Sequence, residues 1–307
     1  MLPTKSSIFA TRILKPMFYL IGSILASSYL TLSFKAVERL RLNTFQVIVF
    51  NYFACVATGI ALSGDQPFGA ESRQASWFPW ALLLGFSFIT LFNLIGYTAQ
   101  KLGVSIAAVA SKLSLVVPFL FSIGLYQEPV TLLKIAGIGV ALSAVVCTCW
   151  PQSGKMTTGT AGKQWFYIPV ILFLGSGLFD TLIKYVEQGH LDGSNNNRFL
   201  INAFAVAGCL GLALLTYQFI TRKQAFSLKA VLMGIAIGVP NYFSIWLLMK
   251  VLKQYSSNST AIIPINNMGI VLASTVAAAL IFHEKLSKIN IAGILLAIAA
   301  IALIAFG

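Results

Sequence analysis

One charged residue, Lys112, stands well inside a stretch that is almost entirely apolar or small from Ser105 until it ends at Glu128, SIAAVASKLSLVVPFLFSIGLYQE. Crossing the ~30 Å hydrocarbon core of a bilayer takes roughly 20 helical residues, and this run supplies them. Lys112 lies about eight residues in from Val104, so at ~1.5 Å per residue it is ~12 Å deep. An ammonium near the midplane costs at least ~2.5–3.5 kcal/mol on insertion scales, so it must face a partner or a wet cavity. Two chemistries answer that demand: capture of an anionic group in a cavity, or an internal salt bridge for which Asp180 is the carboxylate.

Further polar residues fall at helical spacings. Thr90, Asn93, Tyr97 and Gln100 form one stripe, and Ser27, Thr31, Lys35 and Glu38 form another. Ser176, Asp180, Lys184 and Glu187 repeat the second pattern later in the chain, where Asp180 and Lys184 are also spaced to pair with each other. Pro264 precedes Asn266 and Asn267, and Pro240 precedes Asn241 and Tyr242. Such prolines free backbone carbonyls that need a neighbour or cavity water. Each polar residue also has a plainer reading, since Asn, Ser and Thr join membrane helices through hydrogen bonds averaging only ~0.6 kcal/mol. Lys35, Lys184, Glu38 and Glu187 lie near helix ends, within snorkelling reach of the interface. The candidate substrate-binding set is therefore Lys112, Asn93, Tyr97, Asn241, Asn266, Asn267 and Asp180.

The elements that must position these residues are helices. Of 307 residues, 58% are hydrophobic and 9% charged, with mean hydropathy +0.85. Soluble domains carry about 25% charged residues, so this is an integral membrane protein. The 21 basic and 8 acidic residues give net +13. The basic residues are scattered between apolar runs, which suits lipid headgroups and not nucleic acid. Cys55, Cys147, Cys149 and Cys209 all lie in apolar runs and show no metal or disulfide pattern. The basic segment before Pro16 has no small-residue cleavage site.

Ten apolar segments are expected: 16–36, 44–62, 77–99, 104–125, 130–150, 165–186, 199–220, 229–249, 259–282 and 287–306. Their continuous hydrophobicity excludes strand barrels. The polar connection 151–163 divides them into two sets of five. The expected organisation is 1–150 as a first repeat, 151–164 as a linker and 165–307 as a second repeat. Glu128-Pro-Val-Thr131 aligns with Glu284-Lys-Leu-Ser287, each leading to Ile-Ala-Gly (Gly137, Gly293); Asn51 aligns with Asn202. An odd number of spans per repeat inserts the halves in opposite orientations, a plan of many secondary transporters. Both glutamates begin tight turns, which favours capping and loop geometry over transport chemistry.

Those doubled turns, Tyr126-Gln-Glu-Pro-Val-Thr131 and Phe282-His-Glu-Lys-Leu-Ser287, resemble the EamA-type carriers of the drug/metabolite transporter superfamily. The resemblance covers essentially the whole chain. It implies a central cavity enclosed by the third, fourth, eighth and ninth spans with the first and sixth. It also implies cytoplasmic termini; the scattered basic residues are balanced between the two sides and favour neither orientation.

No Gly-x-Ser-x-Gly, Walker or His-Glu-x-x-His pattern is present, and His190 and His283 are the only histidines. No catalytic residue, metal or cofactor is expected, nor a nucleic-acid partner. The expected function is alternating-access transport of a small polar metabolite, anionic or zwitterionic and amino-acid-like, exported across a cell (inner) membrane. Asp180 is the candidate for proton coupling or amine recognition; counter-substrate exchange is the other coupling mode. A lipid-linked sugar phosphate flippase, a polytopic membrane enzyme and a passive channel are the alternatives. The chain is expected to act as a monomer or homodimer.

Overall fold

The computed structural model describes residues 5–117, 120–121, 131–148, 160–192, 195–221, 223–254, 259–284 and 286–306. Among them the protein is all-helical: α1 Lys5–Arg39, α2 Thr44–Ser63, α3 Ala70–Gln74, α4 Phe78–Lys101, α5 Val104–Leu113, α6 Leu132–Thr148, α7 Thr160–His190, α8 Asn196–Ile220, α9 Leu228–Gln254, α10 Ser259–Phe282 and α11 Lys288–Phe306. Six helices are long and apolar enough to cross a bilayer, and four shorter apolar ones complete a ten-helix membrane protein. The short α3 is an addition to the ten segments expected from hydropathy. It lies in the polar connection between the second and third spans, where no long apolar run marks it.

Local chemistry sets the helix ends. The Asn43 side chain accepts the Gln46 N–H at 2.8 Å and caps α2, satisfying one of the donors a helix start leaves open. At the other end of α2, Gly64 adopts φ +73° and returns its N–H to the Ile60 carbonyl.

The packing pairs up when the two sets of five spans are exchanged. α2 packs on α9 as α8 packs on α4, and α1 packs on α10 as α7 packs on α5. α6–α11, α5–α10 and α2–α8 are contacts between equivalent helices of the two halves. This reciprocity is what two inverted five-helix repeats require.

Two cores result. One is aromatic and lies between α1, α2, α4 and α8, built on Phe34, Tyr52, Phe88 and Phe204. The rings of Phe88 and Phe204 stack at 4.8 Å, and the Tyr52 hydroxyl donates to the Phe88 carbonyl at 2.7 Å. The other is aliphatic and joins α5, α6, α10 and α11 through Leu113, Val145, Val271 and Ile301. Helix α7 reaches both, with Phe179 against the first and Phe173 in the second.

Candidate functional site

Helix α5 is defined by what holds its two ends. It begins at Gly103, whose φ of +122° is a conformation that favours glycine. A Cβ there would fall 1.8 Å from Glu284 Oε1, so the Glu284 carboxylate occupies the space a side chain would need. The Ser105 hydroxyl donates to Glu284 Oε2 at 3.2 Å, and the Val104 and Ser105 backbone N–H groups also bond this carboxylate. A residue of the second half thus caps a helix of the first, at the end where open N–H groups favour an anion. Burial pushes the Glu284 carboxyl above its ordinary value, against the pull of these donors and of the Lys35 charge. Glu128, the repeat-equivalent glutamate, lies outside the described residues.

The other end of α5 comes early. The fourth apolar segment, expected as one helix over 104–125, leaves helical geometry at Ser114 and Leu115. Proline at position 118 has no N–H for the Ser114 carbonyl four residues back. That carbonyl instead accepts from Val117 at 2.8 Å. Lys112 therefore sits in the last turn of α5, where a cation complements the open carbonyls of a helix C-terminus.

Opposite this break is α7. A Cβ on Gly177 would meet Val117 Cβ at 2.4 Å and the Ser114 carbonyl oxygen at 2.8 Å, so α7 and α5 can approach this closely only with glycine there. Asp180, three residues on and on the same helix face, is thereby brought to the Ser114 hydroxyl, 3.2 Å from Oδ2. The same hydroxyl is 2.6 Å from the Ser111 carbonyl, and its single proton serves one acceptor at a time. Lys112 and Asp180 are each other's electrostatic partners. Among the described residues neither forms an ion pair within 4.0 Å, and both side chains are partly exposed. This separated pair, with Ser114 beside it, is the charged centre of the spans.

The remaining candidates fall into three other places. Asn93 and Tyr97 of α4 line a shallow cleft of about 310 Å³ with Asn43, Thr44, Gln100 and Gln218 among its other walls. Lys112 and Asp180 are not among its walls. Asn241 of α9 is buried and donates to Asn51 Oδ1 of α2 at 3.1 Å, a bond between helices. Asn266 and Asn267 are buried on α10, and the Asn266 Oδ1 has no partner among the described residues. Pro264, Lys184 and Glu187 belong to described helices, but their side chains lie outside the described residues. Sequence spacing passed over Ser114 and Gly177; the proline four residues after one and the aspartate three residues after the other were the available signals.

The two ends of the bundle carry separate ties. At the Gly103 end, Lys35 Nζ bonds Glu38 at 2.7 Å and the Gln100 carbonyl at 2.9 Å. Arg39 donates to the Phe282 carbonyl at 2.7 Å and stacks over its ring. At the opposite end, Arg198 of α8 holds Asp65 at 2.6 Å and also Glu71. The Asn202 side-chain Oδ1 accepts from the Phe68 N–H at 2.8 Å.

Comparison with known proteins agrees with this architecture. A Haemophilus influenzae protein described as uncharacterized is 27% identical over 290 residues, covering 93% of this chain and 96% of its own. A solved crystal structure superimposes with a TM-score of 0.63 at 13% identity, over 94% of this chain and 95% of that one, which is a likeness of fold. Residues 14–150, which contain α4 and α5 and most of α1, match the EamA-like transporter family. Through these residues the chain is similar to the EamA-like transporter family, which belongs to the drug/metabolite transporter superfamily.

Proposed function

We propose that this multi-pass membrane transporter is a secondary carrier for a small zwitterionic or anionic metabolite, amino-acid-like in its charges. The observation that carries the reading is the separation of Lys112 from Asp180 across the α5–α7 contact. Two opposite charges removed from water recover their desolvation cost only in good geometry with further hydrogen bonds. Here the charges attract one another without closing into an ion pair, so each remains able to take the opposite charge of a ligand. A carboxylate would take Lys112 and an amine would take Asp180, with Ser114 able to turn its proton toward either. Asn266 Oδ1, buried without a partner among the described residues, offers an acceptor on α10, the repeat-equivalent of α5.

The repeats proposed are 1–150 and 165–307, joined by 151–164. Transport would follow from their rocking about the midplane, which exposes the site to each side in turn. Both termini are assigned to the cytoplasm of a cell whose inner membrane holds the protein, so the Gly103 end faces outward. Export is the proposed direction, driven by proton coupling or counter-exchange, in a monomer or homodimer.

Purified protein in liposomes tests this. Saturable counter-exchange of a labelled amino acid or small carboxylate supports the carrier. Non-saturating flux would replace it with a channel, chemical conversion with an enzyme, and exclusive movement of a lipid-linked sugar phosphate with a flippase.

A further inference from the structure

One face of α4 is polar where a membrane face should not be. Leu82, Leu83 and Phe86 are exposed on this helix, as suits contact with lipid. Along the same side, continuing toward the Gly103 end, come Thr90, Asn93 and Tyr97, of which Thr90 and Tyr97 are also exposed. Asn93 lies about eight residues from the end of α4, ~12 Å along the helix axis. The stripe therefore descends from the headgroup level well into the hydrocarbon. Exposed hydrogen-bonding groups at that depth need a polar partner; Thr90 has one in the Phe86 carbonyl at 2.8 Å, whereas the Tyr97 hydroxyl and the Asn93 oxygen have none among the described residues.

The cleft beside this stripe is shaped for one class of partner. Its polar walls include Asn43, Asn93, Tyr97, Gln100, Gln218 and Gln224, with Thr44 and the Phe45 ring completing the lining and no ionic group among them. Several of these groups are already committed on one side only. Asn43 uses its oxygen to cap α2, leaving its NH2. Asn93 donates to the Ile89 carbonyl at 2.6 Å, leaving its oxygen. Gln100 donates to Phe34 and Thr44, leaving its oxygen as well. The side chains of Tyr97, Gln218 and Gln224 have no partner among the described residues. The cleft thus presents donors and acceptors together, which is the complement of hydroxyl groups, each of them donor and acceptor at once. An ionised group would be desolvated here without a counter-charge.

We propose that this cleft between α2, α4 and α8 binds the uncharged, multiply hydroxylated headgroup of a membrane lipid, with the acyl chains lying along the apolar face of α4. The site is separate from the Lys112–Asp180 centre and does not depend on its role. Because the stripe continues the exposed apolar row of Leu82, Leu83 and Phe86, a ligand entering along α4 carries its own apolar tail, which makes a lipid the source and not a free sugar.

The test is native mass spectrometry of the full chain, purified in an amine-oxide detergent that has no hydroxylated headgroup. Monoglucosyl diacylglycerol, phosphatidylethanolamine with matched chains, and free glucose are titrated separately. The glucosyl lipid is expected to be retained at about tenfold lower concentration than phosphatidylethanolamine. That preference should vanish in the double variant Gln218→Leu/Gln224→Leu and weaken in Tyr97→Phe. Gln224 lies in the connection after α8, so Gln224→Leu alone separates loss of binding from loss of fold. Equal retention of both lipids, an unchanged preference in the double variant, or competition by free glucose at the same concentration would overturn the proposal. So would a dimer that the double variant splits while lipid preference stays the same, since the cleft would then be a contact between copies.

Discussion

The Ser114 hydroxyl stands 3.2 Å from the Asp180 carboxylate, on elements 66 residues apart that belong to opposite halves of the chain. This is the contact by which the break after α5 reads the charge on α7. Ser114→Ala removes this hydrogen bond to Asp180. In the proposed carrier it should weaken apparent substrate affinity severalfold while leaving thermal stability within about 1 kcal/mol. Uptake titrations beside a melting curve check it; lost stability with unchanged affinity would make Ser114 a packing residue.

Gly177 sets how closely α7 approaches that break. Gly177→Val would force Val117 and the Ser114 carbonyl apart, and overpacking of this kind costs typically 1–3 kcal/mol. The expected result is a lower melting temperature together with impaired transport. Gly189→Val, at a position where an added Cβ meets nothing, serves as the control and should be near wild type in both measurements.

Glu284 caps α5 from across the molecule. Glu284→Ala should cost about 0.5–2 kcal/mol, the range of a lost helix N-cap, and lower expression more than substrate affinity. The pH dependence has a definite sign. Because the folded carboxyl titrates above its ordinary value, the folded state holds a proton that the unfolded chain has already released. Stability is then greatest below the ordinary glutamate value and falls as pH rises through the raised one. Glu284→Gln does not titrate, so wild-type stability should decline relative to this variant over that window. A difference that is flat with pH would contradict the burial assigned to the carboxyl.

The ten-span topology puts residues 74 and 221 on opposite sides of the membrane. Both are exposed. In a background lacking Cys55, Cys147, Cys149 and Cys209, Gln74→Cys and Thr221→Cys should react with an impermeant thiol reagent from opposite faces. Labelling of both from one face would remove the proposed arrangement.

The spans were legible because hydrophobic length is written continuously along a membrane helix. The Asn93–Tyr97 stripe was legible as a face for the same reason: spacing of three and four places residues on one side of a helix. What that face meets was not legible. Spacing names no neighbour, and the residues that line the same cleft prove to include Gln218 and Gln224, over 100 residues away. The break at Ser114 depended on a missing N–H from Pro118, a defect that hydropathy does not register. Glu284 read correctly as a capping residue in kind, but the helix it caps lies 179 residues back in the other half. Asn241 read as a binding candidate from its place after Pro240, but its hydrogen bond to Asn51, 190 residues back, was not legible. Contacts between inverted halves are set by tertiary geometry, and local pattern carries only the residue types that make them possible.

The central claim is that Lys112 and Asp180 hold a substrate's charges and do not merely neutralise each other. It is tested most directly by counter-exchange in liposomes containing Lys112→Met, Asp180→Asn or the double variant, each first shown to be folded. Substrate recognition predicts that Lys112→Met abolishes transport, that Asp180→Asn impairs it, and that the double variant is as inactive as the worse single. Lys112→Met leaves Asp180 without its electrostatic partner, so the empty single variant should be less stable than the double variant, in which both charges are gone. Restored exchange in the double variant would contradict the claim and leave Lys112 and Asp180 as a structural pair.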